Sequence, residues 1–161
     1  MSAATMPQGQ GFRVGIGYDS HRFAEGRRLV LGGVEFPGEQ GLAGHSDADV
    51  VTHAVIDALL GAGGMGDLGT LFPPDDEEWR DADSIDMLGV AIGRVAGRPV
   101  NVDVTVICER PRLDEHRAEM QRRLSEALSA PVSVKATTNE GMGAIGRGEG
   151  IACIAVALVE T

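Results

Sequence analysis

Apolar and polar positions alternate along Phe12–Tyr18 (FRVGIGY) and give way to the polar Asp19-Ser20-His21. That period of two predicts a strand. Arg28–Phe36 (RLVLGGVEF) reads as a hairpin bent at Gly32-Gly33. The period then lengthens: Val51, Ala54, Val55, Ala58 and Leu59 recur every three to four residues. They predict a helix from about Ala48 to Leu60, capped by Ser46 or Asp47 and stopped at Gly61. A second helix is predicted over about Ser84–Ala96, capped by Asp83 or Ser84. Val100, Val102, Val104 and Val106 alternate with polar residues and predict a strand over Val100–Cys108. Leu113, Met120, Leu124 and Leu128 form one helical stripe. Val132–Thr138 and Ile151–Glu160 complete the set as strands joined by a glycine-laden loop.

The order is strand, hairpin, two helices, strand, helix and two strands, neither alternating nor segregated. It predicts one α+β domain over residues 12–161, an α/β sandwich. A mixed, mainly four-stranded sheet should carry helices on one face, with a small hairpin beside it. Residues 1–11 read as a loose tail. The 161 residues suffice for a core without staples. Glycine, at 23 residues, is about twice the usual ~7%, but with no G-X-Y period. Tight turns and close backbone approaches are therefore expected.

Fourteen Lys and Arg against 24 Asp and Glu give a net charge of −10. That balance argues against nucleic acid or an anionic membrane as partner. A phosphorylated ligand would need metal ions or backbone amides to offset the charge. Cys108 and Cys153 lie too far apart in sequence for a CxxC site and make no disulfide framework. The longest uncharged apolar run, Ile151–Val159, is about half of the ~20 residues that span a bilayer. With no basic or apolar leader at the N-terminus, a cytoplasmic location is expected.

Three clusters carry candidate chemistry. In Asp19-Ser20-His21, residues two apart share a strand face, so a carboxylate and an imidazole point the same way. Such a pair suits zinc, and equally a hydrogen-bonded strand end. In His45-Ser46-Asp47-Ala48-Asp49, followed by His53 and Asp57, the last three acidic or imidazole positions fall on one helical face. Asp57 is then expected behind His53, receiving the ring N–H that does not face a metal. Thr137-Thr138-Asn139-Glu140 gathers two hydroxyls, an amide and a carboxylate at a strand end. The G-x-G-x-x-G spacings at Gly61, Gly64 and Gly141 lack the strand–turn–helix setting of a dinucleotide fingerprint.

Taken in order, GIGYDSH, LGG, GHSDADVVTHAVIDALLG, GDLGTLFP, ADS, NVDVTV and KATTNEGMGAIGRGEGIAC closely resemble the 2-C-methyl-D-erythritol 2,4-cyclodiphosphate synthases of the non-mevalonate isoprenoid pathway. The resemblance spans about Arg13 to Val159. It implies a homotrimer with the sheets facing the three-fold axis. It also implies a lyase reaction: 4-diphosphocytidyl-2-C-methyl-D-erythritol 2-phosphate closes to the cyclodiphosphate with release of CMP.

By the same resemblance, Asp19, His21 and His53 hold Zn²⁺, and Glu140 holds a second divalent ion, Mg²⁺ or Mn²⁺. His45 and Thr138 are the expected catalytic residues. Substrate contacts are expected from Asp19, Ser20, His21, His45 and Ser46, then from Asp67, Leu68 and Gly69. Phe72, Pro73, Pro74, Asp75 and Asp76 continue that surface, as do Thr137, Thr138, Asn139, Glu140, Ala144 and Arg147. Cys108, Glu109, Arg110, Pro111, Arg112, Leu113 and Asp114 form the expected cytidine pocket. Relatives hold an isoprenoid diphosphate on the trimer axis, with an Arg matching Arg147. Pro74 stands where relatives often carry Asp, Arg112 where Lys is common, and Ala144 where a bulky residue is usual. A phosphohydrolase using the same site and a non-catalytic metal- or isoprenoid-binding trimer are the competing readings.

Overall fold

A computed structural model describes residues 11–161. The tail expected at residues 1–10 lies outside the described residues. Gly11, assigned to that tail, instead extends the sheet: its N–H donates to Thr161 O at 3.0 Å, and its carbonyl accepts from Thr161 N at 2.9 Å.

The elements are β1 (Phe12–Arg22), β2 (Val30–Leu31), β3 (Val34–Glu35), α1 (Val50–Gly63) and α2 (Leu68–Leu71). A 3-10 turn at Glu77–Trp79 precedes α3 (Ser84–Ile92) and β4 (Arg98–Ile107). Then come α4 (Arg117–Leu128), β5 (Val132–Thr137), α5 (Gly143–Gly146) and β6 (Gly150–Glu160). The main sheet has the order β1-β6-β4-β5, with β4 and β5 parallel and the other pairs antiparallel. The mixed sheet and the separate hairpin are as expected. Gly32 and Gly33 sit at φ 59° and 73°, which glycine adopts without strain.

Boundaries shift for identifiable reasons. β1 continues four residues past the apolar alternation because β6 pairs with it along its whole length, from Phe12↔Glu160 to Arg22↔Gly150. Asp49, rather than Ser46 or Asp47, caps α1 by accepting from Val51 N and Thr52 N. Gly61 does not stop α1; the helix runs on to Gly64, whose left-handed φ of 66° closes it. α3 ends at Ile92 instead of Ala96, and α4 begins at Arg117 after a turn in which Leu113 O accepts from His116 N and Arg117 N.

The core lies between the sheet and α1. Ile56, Leu59 and Leu60 are fully buried, each worth about 1.5–3 kcal/mol of transfer free energy. α1 meets β1 almost backbone to backbone. A Cβ on Gly15 would lie 1.8 Å from Ala58 O, and one on Gly17 would lie 1.9 Å from Ala54 O. The alternation of β1 is therefore inverted: glycines face the helix layer, while Phe12, Val14, Ile16 and Tyr18 point away from it, 58–70% exposed. Val156 on β6 extends that apolar stripe. Such a contiguous patch on an uncovered sheet face marks an interaction surface.

Candidate active site

The inverted alternation also aims the chemistry. Asp19 and His21 follow Gly15 and Gly17 on the face that meets α1, from which His53 projects. Three ligand atoms form a compact triangle: Asp19 Oδ2 to His21 Nε2 is 2.9 Å, Asp19 Oδ2 to His53 Nδ1 is 3.0 Å, and His21 Nε2 to His53 Nδ1 is 3.3 Å. Ligands at zinc's usual 2.0–2.1 Å stand about 3.3 Å apart in a tetrahedron. One carboxylate and two imidazoles at this spacing fit that ion and supply three of its usual four ligands.

Without a metal, burial opposes the charge on Asp19, but hydrogen bonding to His21 and His53 holds its carboxyl well below the usual carboxylate range. Burial likewise opposes a charged His53, and the bond and charge of Asp19 overcome it, raising that pKa. The three groups thus attract positive charge to a half-buried corner between β1 and α1.

Behind the triad the structure corrects the sequence reading. Asp57 does not back His53; its carboxylate accepts from Leu68 N at 2.7 Å and so anchors the Asp67–Gly69 turn. Asp49 does not back it either. Its fully buried carboxylate accepts from Gly32 N, Gly33 N, Val51 N, Thr52 N and Thr52 Oγ1, tying the hairpin turn to the start of α1. Burial, and then the Asp47 charge, push its pKa up against those donors. His53 Nε2 instead faces two hydroxyls, Ser46 Oγ at 3.1 Å and Ser84 Oγ at 3.0 Å. Ser46, expected among the substrate contacts, is buried at 5% exposure. By sequence Ser84 is a candidate helix cap, with no role at the triad. Nothing in a lone serine at a helix start signals contact with a histidine 31 residues earlier.

Other expected residues distribute as follows. His45 Nε2 lies 3.0 Å from Asp76 O, so the His45 turn and the Pro73–Asp76 loop meet beside the triad. Pro74, Asp75 and Asp76 are exposed, whereas Phe72 is buried, its ring 4.7 Å from Trp79 and edge-on, so it supports the loop from beneath. Asp67 caps α2 through Thr70 N and Oγ1.

The expected cytidine residues, all but Arg110, line a cavity of about 410 Å³ between the end of β4, the start of α4 and Thr137-Thr138. Arg117, which sequence reasoning left out, also lines it and pairs with Asp114 at 2.8 Å. Glu109 accepts from Asn139 N at 2.9 Å and joins this loop to Thr138-Asn139-Glu140. Burial, then the Glu109 charge, push the Cys108 thiol up to about 11, so it is no nucleophile at neutral pH. Glu140, at φ 52°, faces Thr138 Oγ1 at 3.1 Å and does not join the triad within one chain. Arg147 pairs with Glu149 beside the exposed Ala144.

Register relates the two halves. Ser20, Ala152, Ile107 and Thr137 form one row across the sheet. The triad and the cavity therefore share one end of the sheet but occupy opposite edges, three strand spacings or about 14 Å apart.

An α+β chain with a carboxylate–imidazole triangle at one sheet edge and a cleft at the other has the layout of an enzyme for an anionic ligand. Comparison with known proteins makes this specific. The chain belongs to the YgbB family, whose profile matches residues 12–160. It is 58% identical over 158 residues to the 2-C-methyl-D-erythritol 2,4-cyclodiphosphate synthase of Rubrobacter xylanophilus, covering 93% of this chain and 96% of that protein. The synthase of Symbiobacterium thermophilum is 54% identical over 152 residues, covering 91% and 97%. Among solved structures, the IspF (Plasmodium falciparum) CDP complex superposes with a TM-score of 0.80 at 33% identity, over 95% of this chain and 98% of that one.

Proposed function

We propose that this chain converts 4-diphosphocytidyl-2-C-methyl-D-erythritol 2-phosphate to 2-C-methyl-D-erythritol 2,4-cyclodiphosphate and CMP. A 2-phosphate oxygen attacks the β-phosphorus as the bond from that phosphorus to the CMP oxygen breaks. No protein nucleophile is required, so positioning and charge stabilisation carry the catalysis. The observation that carries this reading is the Asp19–His21–His53 triangle at zinc-ligand spacing.

A zinc ion held by Asp19, His21 and His53, and Mg²⁺ or Mn²⁺ held by Glu140, would supply Lewis-acid stabilisation to the crowded phosphate oxygens. The chain's own groups do the rest. Asp57 holds the Asp67–Gly69 turn toward the erythritol end, and His45 with Asp76 closes the other side. Thr138 Oγ1 stands beside Glu140 to meet the diphosphate. The cavity at Cys108–Asp114 takes the cytidine, with Arg112 exposed at its mouth.

The gap of about 14 Å between the two halves favours a site shared between subunits of a homotrimer. The apolar stripe Phe12–Val14–Ile16–Tyr18 supplies the surface such a ring would bury. Near its axis, Arg147 would have to exchange Glu149 for an isoprenoid diphosphate. A cytoplasmic setting suits the free, buried Cys108 and Cys153. Among the described residues, no helix is long and apolar enough to cross a membrane.

Following the substrate's ³¹P signals with purified protein tests the reaction. Cyclic diphosphate together with CMP is expected. CMP with an open-chain product would indicate hydrolysis instead, and bound zinc without turnover would indicate a binding protein.

A further inference from the structure

We propose that Ser84 is a positioning residue for the metal site: it passes the charge of Asp47 to His53 Nε2, keeps the proton there, and so leaves Nδ1 as the nitrogen that meets the metal. This rests on the zinc reading above and adds to it a residue that touches neither metal nor substrate.

Asp47 fixes the hydrogens at this corner. Asp47 is an acceptor on both oxygens. Oδ2 takes Ser84 N at 3.0 Å, while Oδ1 takes Asp49 N at 3.1 Å and also the Ser84 hydroxyl. The single hydroxyl hydrogen of Ser84 is thus committed to a carboxylate. What Ser84 Oγ turns to His53 Nε2, 3.0 Å away, is a lone pair, so Nε2 must carry the proton. With Nε2 keeping its proton for the serines, Nδ1, which donates to Asp19 Oδ2 while no metal is bound, is the nitrogen that would give up its proton to a metal. Ser46 Oγ, at 3.1 Å from the same nitrogen, cannot decide the matter. It accepts from Ala48 N at 3.3 Å, and its own hydrogen has no anionic partner that fixes it. Ser84 is fully buried, so water does not compete for the bond.

The arrangement predicts a graded loss of zinc affinity, measured by competition with a chromophoric chelator at neutral pH. Ser84→Ala should weaken zinc binding about 10–100-fold, the usual cost of losing a partner behind a metal-bound histidine. Asp47→Asn should weaken it comparably, because one amide hydrogen must meet a donor. Ser84→Thr keeps the hydroxyl and should recover most of the affinity, and Ser46→Ala should lose least. Zinc affinity of Ser84→Ala within about twofold of the unsubstituted protein overturns the proposal. A second measurement needs no variant. In the zinc-loaded protein, the His53 Nε2 proton should exchange slowly with solvent by NMR, and rapid exchange overturns the proposal as well. His53→Ala separates the two levels. If that variant keeps its zinc, the triad itself is misassigned; if it loses zinc while Ser84→Ala does not, only the role of Ser84 falls.

Discussion

The two edges of the sheet are built differently. At the β1 edge, His53, Asp49, Ser46 and Ser84 are all buried and hydrogen-bonded to one another or to backbone. At the β4–β5 edge, Thr137, Thr138, Glu140, Arg110 and Arg112 are exposed and held mainly by loop contacts such as Glu109 to Asn139. A metal centre requires ligand atoms fixed to within tenths of an ångström, whereas a nucleotide can be met by groups that settle on arrival. The difference teaches which half is fixed within the single chain and which is left open at its surface.

The contrast breaks most severely if the preformed edge is forced apart. Gly17→Ala places a methyl 1.9 Å from Ala54 O, and helix backbone cannot yield as a side chain can. A loss of at least about 3 kcal/mol is expected, read as a lowered Tm together with lost zinc. His53→Ala comes next. The helix should survive, while elemental analysis finds zinc at background and ³¹P signals show no cyclisation. Ordinary zinc content in that variant would remove the assignment.

The comparison sharpens when the halves are separated genetically. His21→Ala spoils the metal edge, and Thr138→Ala with Arg112→Ala spoils the nucleotide edge. If sites lie between subunits, random mixing in trimers should restore about a quarter of them. If each chain holds a whole site, co-expression should restore nothing, with mixed trimers confirmed by mass spectrometry. A subtler change is Glu140→Gln, which should alter Mg²⁺ or Mn²⁺ dependence at unchanged zinc content; a shifted pH profile with unaltered metal dependence would count against it.

The smallest effect belongs to Asp103 on β4. Lys135, then Ser133, hold its carboxyl below the ordinary 3.8. Its contribution is therefore present above that value and fades as pH falls through the lower folded one. Because both partners are about half exposed, Asp103→Asn should cost less than about 1 kcal/mol in a denaturant titration at pH 7, and nothing at the acid extreme.

The sequence was most informative where periodicity and chemistry coincided. Alternating Val102, Val104 and Val106 located β4, and the family resemblance named Asp19, His21 and His53, which the structure brings together. It was least informative where contact depends on packing distant segments. Asp57 had the right spacing to serve His53, yet a backbone amide at Leu68 claimed it. Phe72 sits in a loop that reads as substrate-facing, but its ring finds Trp79 and the core. Ser84 lies 31 residues from His53, and only the docking of α3 on α1 brings them together. Alternation alone predicts the strand β1 but not which of its faces meets the helices. The glycines are what admit α1, and they turn the apolar side outward.

That glycine contact has a consequence for how the site tolerates change. Ordinarily a strand and a helix are spaced by the side chains between them, so each substitution in the core resets the distance. Here the spacer at Gly15 and Gly17 is main chain against main chain. Asp19 and His21 ride on one rail and His53 on the other, with no adjustable layer between them at that point. The ligand spacing is thus decoupled from the identity of the surrounding apolar residues. A change of size at Leu59 or Ile56 would be felt in the core, while the gauge between Asp19, His21 and His53 is set by main chain.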